Sequence, residues 1–567
     1  MQTQREARMI IAFCAIIICL LSLVARLGYI QLEQSDKLTR MALARDTKTV
    51  GLEQYPRGEI LDKDGNSLTG SYKTNRIVIY PSAVVDKNKS AQNLARVLGV
   101  EPSDIRPFLQ DKPSYLPFDV TSGQAELIRN NTGSGVAVLP VKHRYGPDPV
   151  AVHITGHLGK IQSRANLESL EGTGDKEYGY DDWVGVMGLE RYYEHLLKGE
   201  FPVQRASVIM DAQQRIISKE IRLENSVNVD PERYNVITTI DLDVQQVVER
   251  VLDRSVKKGA VVVMQPNTGD IIASASRPDF NPAPAKIPVD EITKGVFVNR
   301  ATALFQPGSI FKLVLACAAL EEGVADPGTT FYCRGAQDSP IRCWHSPGHG
   351  EINLFDAVVN SCNPAFVQLG QELGAERIIS YAEKLGLSAT DTTGLPEEPN
   401  TRQNLQAIAE PYNLANSSIG QGPVLATPVQ ITAMMNTIAS GDVYYAPRIV
   451  GELDSLQGND LQFPVAAGIR VLSPSTAGTL QKMLEGVTSN GVGSAAFVDI
   501  HGSAGKTGSA QVQSQSGDSI NAWFSGYVPV AQPRYVITVL VQNGASGGET
   551  AAPVFKEIAR GLMQLDH

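Results

Sequence analysis

In "FQPGSIFKLVLACAALEEG", Phe305 to Gly323, Pro307-Gly308 opens an otherwise apolar segment that carries Ser309 and Lys312. Residues three apart on a helix share a face. A Pro-Gly start puts Ser309 in the first turn, where unpaired backbone N–H groups favour developing negative charge. A lysine in a partly dry pocket gives up its proton more easily and can take one from a serine hydroxyl. The pair is therefore a candidate nucleophile and base. Alone, S-x-x-K is also what results when a serine caps a helix and a lysine lies on its solvated face.

Two further stretches weigh against that plainer account. "NSCNPAF" places Ser361 and Asn363 around one residue, and "SAGKTGSAQVQ" reads as a strand carrying Lys506, Thr507, Gly508 and Ser509. Taken singly, the first is a turn in which Ser and Asn bond their own backbone. The second is a glycine-rich edge strand against which another backbone can lie closely.

In the order S-x-x-K, S-x-N, K-T-G, the three stretches form the combination shared by penicillin-binding proteins and serine β-lactamases. The chain resembles that superfamily and, more closely, the class B monofunctional penicillin-binding proteins, membrane-anchored peptidoglycan D,D-transpeptidases. "RGEILDKDG", "VGVMGLERYYEHLLKG", "TTIDLDVQQ" and "GAVVVMQPNTGDIIASASRPDFNP" extend the likeness over nearly the whole chain. A glycosyltransferase domain of the bifunctional class A type is not recognisable.

The resemblance implies roles. Ser309 attacks the carbonyl between the terminal D-alanines of a stem peptide and forms an acyl-enzyme. Lys312 is its base, Ser361 relays the proton to the leaving amine, and Asn363 holds an amide of the acyl side. Lys506, with Thr507, Gly508 and Ser509, receives the substrate's terminal carboxylate, and Lys506 also keeps Lys312 deprotonated. The backbone N–H groups of Ser309 and Ser509 form the oxyanion hole. β-Lactams acylate the same serine. A SEDS-family glycosyltransferase is the implied membrane partner. A β-lactamase or carboxypeptidase, releasing the acyl group to water, and a β-lactam sensor are the alternatives; anchor, size and complete motif set argue against them.

A second cluster surrounds the middle motif. Cys333, Cys343, His349 and Cys362 read C-x9-C-x5-H-x12-C, with Cys362 between Ser361 and Asn363. A Cys333–Cys343 disulfide suits an extracytoplasmic domain but leaves Cys362 unpaired. A tetrahedral structural zinc site uses all four. Some elongation-type class B enzymes carry a metal in this stretch. Both readings stand at this point, with His345 as the substitute for His349.

These residues need a scaffold. The chain has 567 residues, 43% of them hydrophobic and 19% charged, which fits two or more globular units. Its net charge of −10 argues against a nucleic-acid platform. Met9 to Ala25 is an uncharged apolar run preceded by Arg5 and Arg8. It reads as an uncleaved anchor with residues 1–8 in the cytoplasm and the rest outside a cell membrane. Cleavage as a signal peptide is disfavoured because Leu23 precedes Ala25.

The expected organisation is α+β and multidomain: anchor 9–25, mixed pedestal 26–230, and transpeptidase domain 231–567, with the boundary in the polar stretch Glu224 to Tyr234. In the last region a central antiparallel sheet flanked by helices is expected. Its pieces are a strand at "YNVITTI", a helix capped by Asp241, a hairpin turning at Pro266–Gly269, paired strands at "NAWFSGYVPV" and "RYVITVLVQN", and the closing helix "APVFKEIARGLMQL". "GLERYYEHLLKG" reads as one short amphipathic helix closed by glycine.

Overall fold

The computed structural model describes residues 2–32, 34, 47–110, 112–131, 135–171, 176–180, 182–209, 221–225, 233–283, 294–389, 393, 404–455, 457–514 and 517–565. Most of the stretch expected to hold the domain boundary, residues 226–232, lies outside them.

The apolar run begins the chain as one helix, Gln2–Leu32, whose segment Phe13–Gln31 is long and apolar enough to cross a bilayer. At 1.5 Å per residue its 19 residues span about 28 Å. None of that segment is buried against protein, and Ile16, Leu20 and Val24 stand exposed. A helix so apolar and so bare has its solvent in lipid.

The chain forms two compact units, and they interleave: Met1–Pro56, Tyr72–His143 and Glu200–Val229 make one, while Arg57–Ser71, Arg144–Gly199 and Asp230–His567 make the other. The first unit holds two three-stranded sheets. Tyr72–Ile79 lies between Ser114–Asp119 and Val136–His143, antiparallel to both. Lys87–Leu98, capped by Asp86 and stopped by left-handed Gly99, and Ser122–Asn131 cover that sheet around Ile77, Ile79, Leu94, Leu116 and Ile128. Alternation decides the faces, because Val78 and Tyr80 turn instead toward Val50, Ala206 and Val208 of the second sheet.

The second unit is built on a five-stranded antiparallel sheet in the order Ile271–Arg277, Gly259–Met264, Tyr535–Gln542, Gly517–Val528, Ala504–Ser514. Every residue of Gly259–Met264 is buried, and alternation splits them between two cores. Val261 and Val263 meet helices Leu242–Ser255 and Ala552–Leu565 through Val248, Phe555 and Leu562. Ala260, Val262 and Met264 join the larger core with Phe311, Leu315, Met434 and Trp523. The sheet is thus sandwiched between helical layers, as the expected punctuation requires. Asp241 caps its helix by accepting from Asp243 and Val244 N–H groups.

A smaller sheet runs Leu461–Gln462, Val450–Ser455, Tyr234–Thr238, Ile60–Leu61, with the last pair parallel. The "RGEILDKDG" strand therefore folds with the second unit, turning at Gly65 (φ 86°).

"GLERYYEHLLKG" differs from expectation. It forms two short helices, Gly188–Tyr192 and Glu194–Leu197, separated at Tyr193 (φ −101°, ψ 25°). The reason is buried charge. Arg57 Nη2 lies 3.0 Å from Glu190 Oε2 and 2.8 Å from Glu194 Oε2, Arg144 bonds Glu190 from the other side, and Tyr145 Oη donates to Glu190 Oε1 at 3.0 Å. Glu190 is completely buried. Burial alone would raise its carboxyl pKa; Arg144 and Arg57 overcome that and hold it below the ordinary value. Charges that seem destined for solvent thus form the hub of the segment.

Candidate active site

Four local structures converge on one cluster. The first is the turn at Ser309. Gly308, at φ 54°, begins a 3-10 turn, Gly308–Phe311, that continues as the helix Lys312–Glu321, so Ser309 sits on the tighter turn ahead of the α-helix expected to hold it. No other residue fits at 308: a Cβ there would lie 2.8 Å from Ser509 O and 3.1 Å from Ser509 N. The same approach requires Gly508, whose Cβ would meet Pro307 O at 2.5 Å. The two glycines let strand Ala504–Ser514 lie directly against the turn.

The second is the Ser361 loop between helix Leu354–Val359 and helix Asn363–Lys384, which is broken at Gly374. Ser361 is only 6% exposed and holds φ 54°, a conformation a non-glycine residue adopts at a cost of about 1–3 kcal/mol. Lys312 Nζ holds it there, donating to Ser361 O (2.8 Å), to Asn363 Oδ1 (2.7 Å) and to Ser361 Oγ (3.3 Å). From the strand, Lys506 Nζ donates to the same Ser361 Oγ at 3.0 Å.

Both lysines are wholly buried. Burial lowers the pKa of Lys312 from its ordinary 10.5 to about 7, opposed by the Cys362 and Cys343 thiols. Burial likewise, with repulsion from Lys312, lowers Lys506 well below the usual range. Phe366 lies 5.4 Å from the Lys312 ammonium and helps to exclude water. Ser309 is partly open, Thr507 is buried, and Ser509 is exposed, its Oγ accepting from Gly547 N–H at 3.0 Å.

The third and fourth are supports that motif reading did not find. Gly420, at φ 73°, accepts from Gly308 N–H through its carbonyl at 3.0 Å. Trp523 Nε1 donates to Gln306 O at 3.0 Å, tying the Ser309 turn to the sheet. Only the glycine punctuation of "SSIGQG" signals the former; nothing in sequence signals the latter.

Cys333, Cys343, His349 and Cys362 also come together, their ligand atoms all within 4.8 Å of one another. His349 Nδ1 is 3.5 Å from the sulfurs of both Cys333 and Cys343. The three cysteines are buried and carry free thiols. His345 falls outside the four, its ring 5.0 Å from that of His349. Cys362 stands directly before the helix that begins at Asn363, so the cluster and the Ser361 loop share one backbone.

The chain is similar to known proteins over nearly its whole length. The penicillin binding protein transpeptidase domain family matches residues 259–560, and the penicillin-binding protein dimerisation domain matches 53–229. The chain is 29% identical to stage V sporulation protein D of Bacillus subtilis over 96% of its own length and 83% of that protein's. It is 25% identical to the peptidoglycan D,D-transpeptidase MrdA of Salmonella typhimurium, covering 99% of itself and 95% of the relative. A chain from a peptidoglycan synthase complex solved for its coordination of polymerization and crosslinking shares the fold, with TM-score 0.70, 24% identity and 98% of each chain covered. Sheet, three motifs and both domain matches place the chain in the penicillin-binding protein transpeptidase family, among its class B, monofunctional members.

Proposed function

We propose that the chain cross-links peptidoglycan stem peptides through an acyl-enzyme on Ser309, the serine mechanism of a D,D-transpeptidase. The observation that carries this is the convergence of Lys312 and Lys506 on Ser361 Oγ. Two buried ammonium groups so close cannot both keep a full charge, so one lysine is poised neutral near physiological pH. Lys312, pKa about 7, takes the Ser309 proton as Oγ attacks the carbonyl between the two terminal D-alanines. The N–H groups of Ser309 and Ser509, brought together by the glycine pair, receive the oxyanion, a contribution of about 3–4 kcal/mol per donor in serine hydrolases. Ser361 relays a proton to the departing amine, and Asn363 holds an amide of the acyl chain. Lys506, Thr507 and the Ser509 hydroxyl take the substrate carboxylate along the strand that Gly508 keeps bare. A second peptide's amine then accepts the acyl group.

The cysteine cluster fits a zinc ion. Tetrahedral bonds of about 2.3 Å to sulfur and 2.1 Å to nitrogen imply sulfur–nitrogen edges of about 3.6 Å. The two measured are 3.5 Å. A bound zinc would serve structurally, with Cys333, Cys343, His349 and Cys362 as ligands, fixing the loop that carries Ser361 and Asn363. It takes no part in the acyl transfer.

The remaining assignments follow from the family. Residues 1–8 lie in the cytoplasm, and everything beyond the anchor works outside the cell membrane. Within residues 26–230 the parts outside Arg57–Ser71 and Arg144–Gly199 serve as the pedestal, those two segments folding with the transpeptidase domain of 231–567, and the pedestal meets a SEDS-family glycosyltransferase in the membrane. β-Lactams act as substrate mimics at Ser309. Intact mass after incubation with benzylpenicillin tests the central claim. A lasting single adduct on the native chain and none on Ser309→Ala is expected; an adduct that persists on Ser309→Ala overturns it.

A further inference from the structure

A groove of about 440 Å³ opens beside the catalytic cluster. One wall is the segment that supplies Cys333 and Cys343, through Tyr332, Arg334, Asp338 and Ile341; the other is a face of helix Asn363–Lys384, through Pro364 and Gln371. Pro364 follows Asn363 directly, and Asn363 Nδ2 donates to Arg342 O at 3.1 Å, next to Ile341. The groove therefore runs up to the residue whose Oδ1 receives Lys312.

Its walls are tied together. Gln368 Nε2 donates to Tyr332 O (2.8 Å) and Pro364 O (3.0 Å), stitching strand to helix. Asp338, 9% exposed, accepts from Arg334 N–H at 2.7 Å and lies 3.5 Å from its Nε. That fixes one edge of Arg334 while its side chain stays 59% exposed, level with the equally exposed Tyr332. A cation and an aromatic face on one side, with an amide on the other, suit an extended peptide bearing carboxylates.

The reaction assigned above uses two peptides. The first acylates Ser309 from the cleft between Ser361 and the Lys506 strand, so the second needs a path of its own to the acyl carbonyl. We propose that this groove binds the second substrate, an acidic stem peptide carrying the attacking amine, with Arg334 pairing to one of its carboxylates. The inference rests on the serine acyl-enzyme reading. In the step it serves, the amine nitrogen bonds the acyl carbon, the bond from that carbon to Ser309 Oγ breaks, and the amine proton passes to the serine oxygen.

The test uses the full chain in detergent, comparing native protein with Arg334→Glu and with Gln371→Glu, the latter remote from the cysteines. Two rates are read: acylation by benzylpenicillin, and cross-linking of a donor pentapeptide to an amine-bearing stem peptide of varied concentration. Acylation is expected to stay within about twofold while the acceptor KM rises on the order of tenfold in both variants. Unchanged acceptor KM with normal acylation overturns the groove assignment alone, and so does a parallel fall in acylation, which would mark damage to the cleft. A native chain that is never acylated overturns the serine reading and this inference with it.

Discussion

Lys312 and Lys506 donate to the same atom: their side-chain nitrogens lie 3.3 and 3.0 Å from Ser361 Oγ, one reaching it from the helix Lys312–Glu321 and the other from the sheet. A hydroxyl between two lysines that cannot both be charged can pass a proton either way, and its removal leaves the two amines facing each other. Ser361→Ala is therefore expected to slow acylation by benzylpenicillin on the order of a hundredfold. The measurement is the adduct formation rate by rapid-quench mass spectrometry; a loss under threefold would mean the hydroxyl is not in the proton path.

Lys312 sets a pH profile. Its folded pKa of about 7 is depressed by burial from an ordinary 10.5. Only the neutral amine accepts a proton, so acylation should rise as pH passes about 7 and level above it. A rate flat from pH 5 to 9 would exclude Lys312 as the base.

The same burial has a cost to stability, and its sign follows from the depressed pKa. Between pH 7 and 10.5 the unfolded chain binds a proton at Lys312 that the folded chain does not, so this group's contribution improves with rising pH across that window and is worst below it. Lys312→Met is expected to abolish acylation yet raise stability at pH 6 by about 1–3 kcal/mol, with the gain shrinking toward pH 10. Thermal melts of the two proteins across that range give the answer.

Glu190 tests the ion cluster independently of the chemistry. Glu190→Ala strands Arg144 in the interior, leaves Arg57 with Glu194 alone, and should cost about 3–5 kcal/mol. A melting temperature within a degree of the native protein's would show that the pair is hydrated or dispensable.

The cysteines offer a compositional measurement. Elemental analysis of the full chain is expected to find one zinc per protein, lost in Cys343→Ser, with slower acylation because the Ser361 loop is no longer held. A Cys333–Cys343 disulfide in the purified protein, with no zinc, would overturn the metal assignment.

The clustered residues were legible where the cluster rests on residue types at short spacing. Ser309 and Lys312, Ser361 and Asn363, and Lys506 through Ser509 are each local patterns, and the central sheet announces itself through the buried run Gly259–Met264 and the strands that end the chain. What stayed hidden depends on distant partners. Trp523 is one apolar residue among many until its indole meets Gln306 O. Glu190 and Glu194 look like the wet side of a helix because the arginines that draw them inward lie far off in the chain. Pairing of Ile60–Leu61 with Tyr234–Thr238 is likewise invisible to a reading that seeks one cut between domains.

That last pairing bears on how such a chain can be edited. Because Arg57–Ser71 and Arg144–Gly199 belong structurally to the unit that carries Ser309, the region ahead of residue 231 is no interchangeable cassette. A truncation that starts there strips away a strand and the whole arginine–glutamate hub, and a graft of a foreign pedestal swaps them unintentionally. Recombination between relatives would have to respect all five crossings of the chain between the units, which ties the inheritance of the N-terminal half to that of the enzyme.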